Sequence, residues 1–182
     1  MSRPGAPDFC IIGAPKCGTT ALYSYLREHP GIFMPPAKEP YYYCTDFPKW
    51  RRIKTKRAYE RLFERERIGK RLDNTRKRGE ASVWYLYSDV AIQQLLADFP
   101  DVKLVAMVRN PLDMAPSIHS QMAFTLHEDQ LDFWTAWTLQ EERREGRSLP
   151  LHSLEPKLLM YKDVCRLGAQ VERLLKVARP DQ

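Results

Sequence analysis

Ile11-Ile12-Gly13-Ala14-Pro15-Lys16-Cys17-Gly18-Thr19-Thr20 decides the fold. Phe9 to Gly13 is a short apolar run closed by glycine, which predicts a buried strand. Thr19 to His29 then has helical spacing, with Leu22, Tyr25 and Leu26 on one face, and His29-Pro30-Gly31 stops it. A strand that passes through a glycine loop into a helix points free backbone N–H groups at an anion, at the positive end of the helix dipole. Gly13 and Gly18 permit close backbone approach. Lys16 adds a full charge, and Thr19 and Thr20 add hydroxyl donors. Cys17 reads either as a small residue that fits a tight loop or as a thiol with a lowered pKa.

A second stretch repeats the pattern: Leu104-Val105-Ala106-Met107-Val108-Arg109-Asn110-Pro111, followed by Ser117. Val102 to Val108 is the clearest strand in the sequence, predicted buried like the first. Asn110 suits a helix N-cap and Pro111 a first helical residue. Arg109 should emerge at the carboxyl edge of the sheet, where open α/β folds bind ligands. Ser117 follows about two helical turns on, although Pro116 predicts a kink before it. Two anion sites suggest a ligand with phosphate-like groups at both ends. The first loop is not the nucleotide-triphosphatase G-x-x-x-x-G-K-[ST], because Lys16 precedes Gly18. Arg109 stands where a kinase-like fold places a magnesium-holding Asp. Both features favour direct anion clamping over metal-bridged phosphoryl transfer.

The remaining segments fit a parallel α/β sheet with right-handed crossovers. Ile32 to Met34 and Gly79 to Val83 are further strand candidates. Helices are expected over 56–67, from a Ser88 or Asp89 cap to Ala97, and over 112–125, 131–142 and 156–178. The chain of 182 residues suits one domain with a real core. The net charge is +6 and is uneven: residues 49–78 hold fourteen Lys/Arg against four Asp/Glu. That stretch reads as a solvated helix and loop or as a surface for an anionic polysaccharide, a membrane surface or nucleic acid. No nucleic-acid-binding signature accompanies it. The four cysteines lack metal-ligand or redox spacing. No apolar run approaches the roughly 20 residues of a membrane span, and residues 1–8 lack a signal-peptide core. A soluble, cytoplasmic protein is expected.

Gly13 to Thr20 resembles the 5′-phosphosulfate loop of sulfotransferases that use 3′-phosphoadenosine 5′-phosphosulfate (PAPS). Val108 to Pro111 with Ser117 resembles that family's 3′-phosphate motif, and Gly79-Glu80-Ala81-Ser82 the segment many bacterial and glycan-type members carry between the two. The resemblance spans residues 8–125. It implies a P-loop-like three-layer α/β fold around a central parallel sheet, with PAPS as cofactor, 3′,5′-ADP as product and no metal. Lys16, Cys17, Gly18, Thr19 and Thr20 would hold the phosphosulfate, Arg109 and Ser117 the 3′-phosphate. Lys16 would also act in catalysis, at the bridging or leaving oxygen. Lys38-Glu39-Pro40-Tyr41-Tyr42-Tyr43 resembles the Lys-Glu-x-x-Phe-Phe stretch of glycan sulfotransferases, which makes Glu39 the candidate base and His119 the alternative. Tyr41 to Tyr43 read either as an acceptor pocket or as an aromatic core strand. Ala81 replaces the lysine that binds substrate in some glycan-type members.

The implied reaction moves a sulfuryl group to a hydroxyl or amine acceptor, such as a small alcohol or a glycan, an anionic glycan included. A non-catalytic nucleotide-binding relative and a magnesium-dependent P-loop kinase are the alternatives. Residues 1–182 are read as a single sulfotransferase-like domain, motif-bearing over 8–125 and helical over 126–182. Family members continue past the point where this sequence stops. The expectation is therefore an incomplete sheet, an exposed apolar helix face and weakened cofactor retention. The oligomeric state is left open.

Overall fold

Strand β1 (Phe9–Gly13) sits between two parallel neighbours, and the rest of the architecture hangs on it. The computed structural model describes residues 5–64 and 77–182. After β1 come α1 (Thr19–Glu28), β2 (Ile32–Phe33), α2 (Lys56–Glu64), β3 (Lys77–Ala81), α3 (Ala91–Asp98), β4 (Lys103–Ala106) and α4 (Pro111–Phe124). The helical remainder is α5 (Phe133–Thr138), α6 (Gln140–Arg144), a 3-10 turn (Pro156–Leu159), α7 (Tyr161–Val164) and α8 (Leu167–Val177). The sheet order is β2-β3-β1-β4, all parallel. Successive β1 side chains point to opposite faces. Ile11 packs with Tyr23 of α1, Met34 and Ala81, while Cys10 and Ile12 belong to the main core with Tyr59, Leu95, Met114 and Ile118. Helices thus cover both faces, giving the three-layer α/β fold. Among the described residues no helix is long and apolar enough to cross a membrane.

Two expectations change. β4 covers only Lys103–Ala106 and is an edge strand, with Lys103 and Ala106 exposed rather than buried. Its regular pairing with β1 ends at Ala106, where the register is irregular, and Met107 still bonds Gly13 and Ala14 beyond it. On its other side the Leu104 N–H donates to Gln182 O at 2.9 Å. The helices expected over 131–142 and 156–178 are broken, the first at Leu139 and the second into three pieces. Tertiary bonds hold the second set of breaks: the Gln170 side-chain amide donates to Asp163 O (3.2 Å) and Val164 O (2.9 Å), serving carbonyls left open at the end of α7. In α8, Leu167 is buried and Val171 and Leu174 are partly buried, while Leu175 is exposed. Of the basic stretch, residues 65–76 and the end of the helix expected over 56–67 lie outside the described residues.

A buried ion pair braces the helical half. Glu128 accepts from Arg143 Nη1 and Nη2 (2.6 Å each) and from Tyr161 Oη (2.8 Å), with both ionic side chains fully buried. Burial alone would raise the Glu128 carboxyl, yet the Arg143 bonds and a backbone donor hold it below the usual range. Removing one partner of such a pair leaves an uncompensated buried charge.

Among the described residues Glu80 has no such cation. It is buried on β3, accepting from Tyr59 Oη at 3.1 Å beside the Cys10 thiol. Burial pushes its carboxyl up to about 7, from an ordinary value of 4.5. The folded state therefore holds the proton more tightly than the unfolded chain. The stability this contributes is complete below pH 4.5 and is lost as pH rises through 7. That shift corresponds to about 3 kcal/mol across the window. In urea denaturation at pH 5 and pH 8, Glu80→Gln should lack this fall in stability. An equal pH slope in both proteins would contradict the assignment.

Candidate active site

The two loops predicted as anion sites meet through their backbones. Ala14 N–H donates to Met107 O, and Met107 N–H donates to Gly13 O, both at 2.8 Å. Gly13 has no room for a side chain: a Cβ there would lie 2.8 Å from Val83 O and 2.9 Å from Leu86 Cβ. Gly18, the N-cap of α1, takes φ +82° without a side-chain cap. The first helical bond is Leu22 N–H to Gly18 O, so the amides before Leu22 lie outside the helix's own ladder and face an anion site.

The side chains converge as well. Lys16, at φ +60°, sends Nζ to Gln121 Oε1 of α4 at 2.9 Å. Arg109 reaches Lys16 O at 3.4 Å. Asn110 caps α4 by accepting from Leu112 N–H at 3.0 Å, and Pro111 is its first residue. α4 continues through Pro116 without a break in its assignment. The carbonyl that loses its partner there belongs to Leu112, which is exposed to water. Ser117, Gln121 and Thr125, four residues apart, all line one cavity of about 740 Å³.

That cavity also collects Lys16, Gly18, Thr19, Thr20, Lys38, Glu39, Arg52 and Arg109. Four cationic side chains face one carboxylate, a net positive lining that suits an anion. Its size falls in the roughly 300–1,000 Å³ range of ligand sites. The opposite wall is aromatic: Trp50 packs against His127 (ring centroids 4.8 Å) and Tyr41 (6.4 Å), with Trp84 beside them. A second cavity of about 540 Å³, between Tyr87, Met160 and Arg166, contains none of the predicted site residues.

Glu39 arrives on a strained turn. Its φ is +62° and that of Tyr41 is +50°, held by Glu39 N–H to Ala81 O (2.9 Å) and Tyr41 N–H to Ser82 Oγ (3.1 Å). The Tyr41-Tyr42-Tyr43 stretch is therefore a loop that divides its duties. Tyr41 lines the cavity, while Tyr42 and Tyr43 pack on Tyr59, with Tyr43 Oη donating to Asp98 at 3.0 Å.

Two sequence expectations are corrected. His119 does not approach the site: it is buried on the other side of α4, bonded through Nε2 to Gln130 O at 2.7 Å and packed on Phe133 and Tyr161. Cys17 turns its thiol inward onto Pro15 O at 3.4 Å, and burial raises its pKa despite Arg109 nearby. It can offer an anion only its backbone. Lys38, Trp50, Arg52, Gln121 and His127 were missed. Gln121 was legible as Ser117 plus one four-residue helical step, and Lys38 as the neighbour of Glu39. Trp50, Arg52 and His127 carry no local signal.

The protein class follows from this geometry together with similarity. The model of the sulfotransferase family matches residues 7–152, and the chain belongs to that family. A crystal structure of a sulfotransferase from Alicyclobacillus acidocaldarius superposes with a TM-score of 0.77 at 33% identity, covering 97% of this chain and 70% of that one. Membrane-associated sulfotransferase kil1 of Dictyostelium discoideum is 29% identical over 114 residues, 61% of this chain. Human heparan sulfate glucosamine 3-O-sulfotransferase 6 is 31% identical over 125 residues, 66% of this chain. The matches span 22% and 32% of the lengths of those two relatives.

Because Gly13 both contacts Val83 and holds Met107, Gly13→Ala should lower stability by about 2–3 kcal/mol. Chemical denaturation measures this, and a stability equal to that of the wild type would refute the close-approach argument.

Proposed function

We propose that this chain carries a PAPS-dependent sulfotransferase domain, spanning residues 1–182, that transfers a sulfuryl group to a hydroxyl or amine. The observation that carries the reading is the convergence of Lys16, Arg109 and Glu39 on one cavity, with the two cation-bearing loops bonded to each other. The residues fit the cofactor. The start of α1 with Lys16, Thr19 and Thr20 suits a phosphosulfate, and Arg109 with Ser117 suits a separate phosphate. Bound PAPS would supply an activated sulfuryl group and leave as 3′,5′-ADP.

The chain's own work is positioning and charge stabilisation, as in phosphoryl transfer. Lys16 steadies negative charge developing on the leaving oxygen. Glu39 takes the acceptor's proton, and Arg109 fixes the far end of the donor. With cations in these places the reading calls for no metal. Trp50, the partly exposed ring of this wall, can stack on a sugar ring, and Arg52 can meet an anionic substituent. An anionic glycan is the acceptor this lining favours, in line with the heparan sulfate named for one of the relatives.

Transfer of labelled sulfate from PAPS to glycan acceptors, with EDTA present, tests the reading. Lys16→Ala should lower kcat by about 100-fold or more. Glu39→Gln should lower kcat by about 100-fold or more while leaving 3′,5′-ADP affinity intact. Calorimetry should show wild type preferring 3′,5′-ADP over 5′-AMP, and Arg109→Ala should remove about tenfold or more of that preference. Binding of magnesium-ATP in place of 3′,5′-ADP would favour a kinase and sink the proposal.

A further inference from the structure

We infer that Lys38 is a positioning residue, a bridge that fixes the proton-accepting carboxylate to the loop that holds the donor. Its Nζ donates to Glu39 Oε1 at 2.8 Å and to Thr20 Oγ1 at 3.0 Å. Thr20 is the second residue of α1, beside the amides that face the anion site. One ammonium therefore touches both halves of the reaction centre proposed above, and the inference rests on that reading.

The contact is built by the backbone rather than by chance meeting of two surface chains. Lys38 and Glu39 are neighbours in sequence, and in an extended chain they would point to opposite sides. The left-handed turn at Glu39 directs both into the same cavity. Such a conformation at a non-glycine residue persists only where its surroundings hold it. Here Ala81 O holds Glu39 N–H, Ser82 Oγ holds Tyr41 N–H, and Arg52 Nη1 donates to Lys38 O at 3.4 Å. Both side chains are mostly covered, at 19% and 23% exposure, which weakens screening of the pair by solvent.

An ammonium has three N–H donors, and these two bonds use two. The bridge thus sets the separation between the atom that accepts the proton and the loop that carries the leaving group. In-line transfer is sensitive to that separation, since a misplacement of about 1 Å costs about 100-fold in rate.

The test compares Lys38→Met, which keeps the length of the stem, with Lys38→Arg, which keeps the charge and donors. Lys38→Met should reduce kcat by about 100-fold, while the Kd for 3′,5′-ADP stays within about threefold and the melting temperature is unchanged. Lys38→Arg should regain about a tenth or more of wild-type kcat. A kcat for Lys38→Met near wild type overturns the inference. So does a 3′,5′-ADP affinity that falls in step with kcat, which would make Lys38 one more donor contact. A readout free of donor separates this inference from the PAPS reading. In the free protein, the Lys38 ammonium should give a slowly exchanging ¹⁵N signal that disappears in both Glu39→Gln and Thr20→Val. Its presence in wild type without any 3′,5′-ADP binding would leave the bridge standing and the cofactor reading failed. Its absence would remove the bridge.

Discussion

The carboxyl end of β1 is the anchor of the site. Three consecutive carbonyls there each accept a bond from a different loop residue: Ile11 O from Ser82 N–H (3.0 Å), Ile12 O from Leu86 N–H (2.8 Å) and Gly13 O from Met107 N–H (2.8 Å). The first two hold the turn after β3, whose Ala81 and Ser82 in turn hold the Glu39 segment. The third holds the turn after β4, which carries Arg109. A single backbone hydrogen bond contributes only about 1 kcal/mol net, but leaving its groups buried and unpaired costs about 1–3 kcal/mol. The three segments are thus locked to one strand, and relative movement between them is opposed at every step. Gly13 makes the arrangement possible, since any Cβ would push Val83 away.

A site assembled in this way can keep like charges close together. Lys16, Lys38, Arg52 and Arg109 line one cavity, and each has a partner in the chain, for Arg52 the Lys38 carbonyl at 3.4 Å. Lys16 rests on the neutral amide of Gln121, Lys38 on Glu39, and Arg109 on the Lys16 carbonyl with Asp113 4.0 Å away. None of these partners is a deeply buried carboxylate that would neutralise the site permanently. The fully buried ion pair among the described residues, Glu128 with Arg143, lies behind α4, where it ties the end of that helix to α6 and α7. The division has a physical logic. A fully desolvated pair fixes structure, whereas partly exposed cations with weak partners remain available to a ligand and need little reorganisation to bind it.

How much of this was legible in sequence follows from the range of each signal. The β1 loop and the Asn110-Pro111 cap were readable because glycine, proline and capping residues act locally. β4 was overestimated because an apolar run looks the same on an edge as in the centre of a sheet. The break before α8 is held by the Gln170 side-chain amide on the open carbonyls of Asp163 and Val164, a side-chain cap that apolar periodicity cannot register. His119 failed for a simpler reason. Two residues beyond Ser117 is about 200°, just over half a helical turn, so the two side chains face opposite ways. The cavity's aromatic wall joins Trp50 to His127, 77 positions apart, with no motif to announce the meeting.

The backbone at Lys16 and Glu39 ties fold to chemistry most closely. Both residues occupy the left-handed region, at φ +60° and +62°, where a non-glycine residue costs on the order of 1 kcal/mol. Glycine would relieve that strain at either place and would also remove the charge. In the proposed reading the strain is tolerated because the side chains act where the turn puts them. Each turn reverses the direction the side chain would otherwise take and brings it into the common cavity. The β1 and β3 hydrogen bonds that hold these turns are what make the strained geometry the stable one. In this reading the parallel sheet does more than bury apolar surface: its carboxyl edge holds one lysine and one glutamate in conformations that neither would adopt in a free loop.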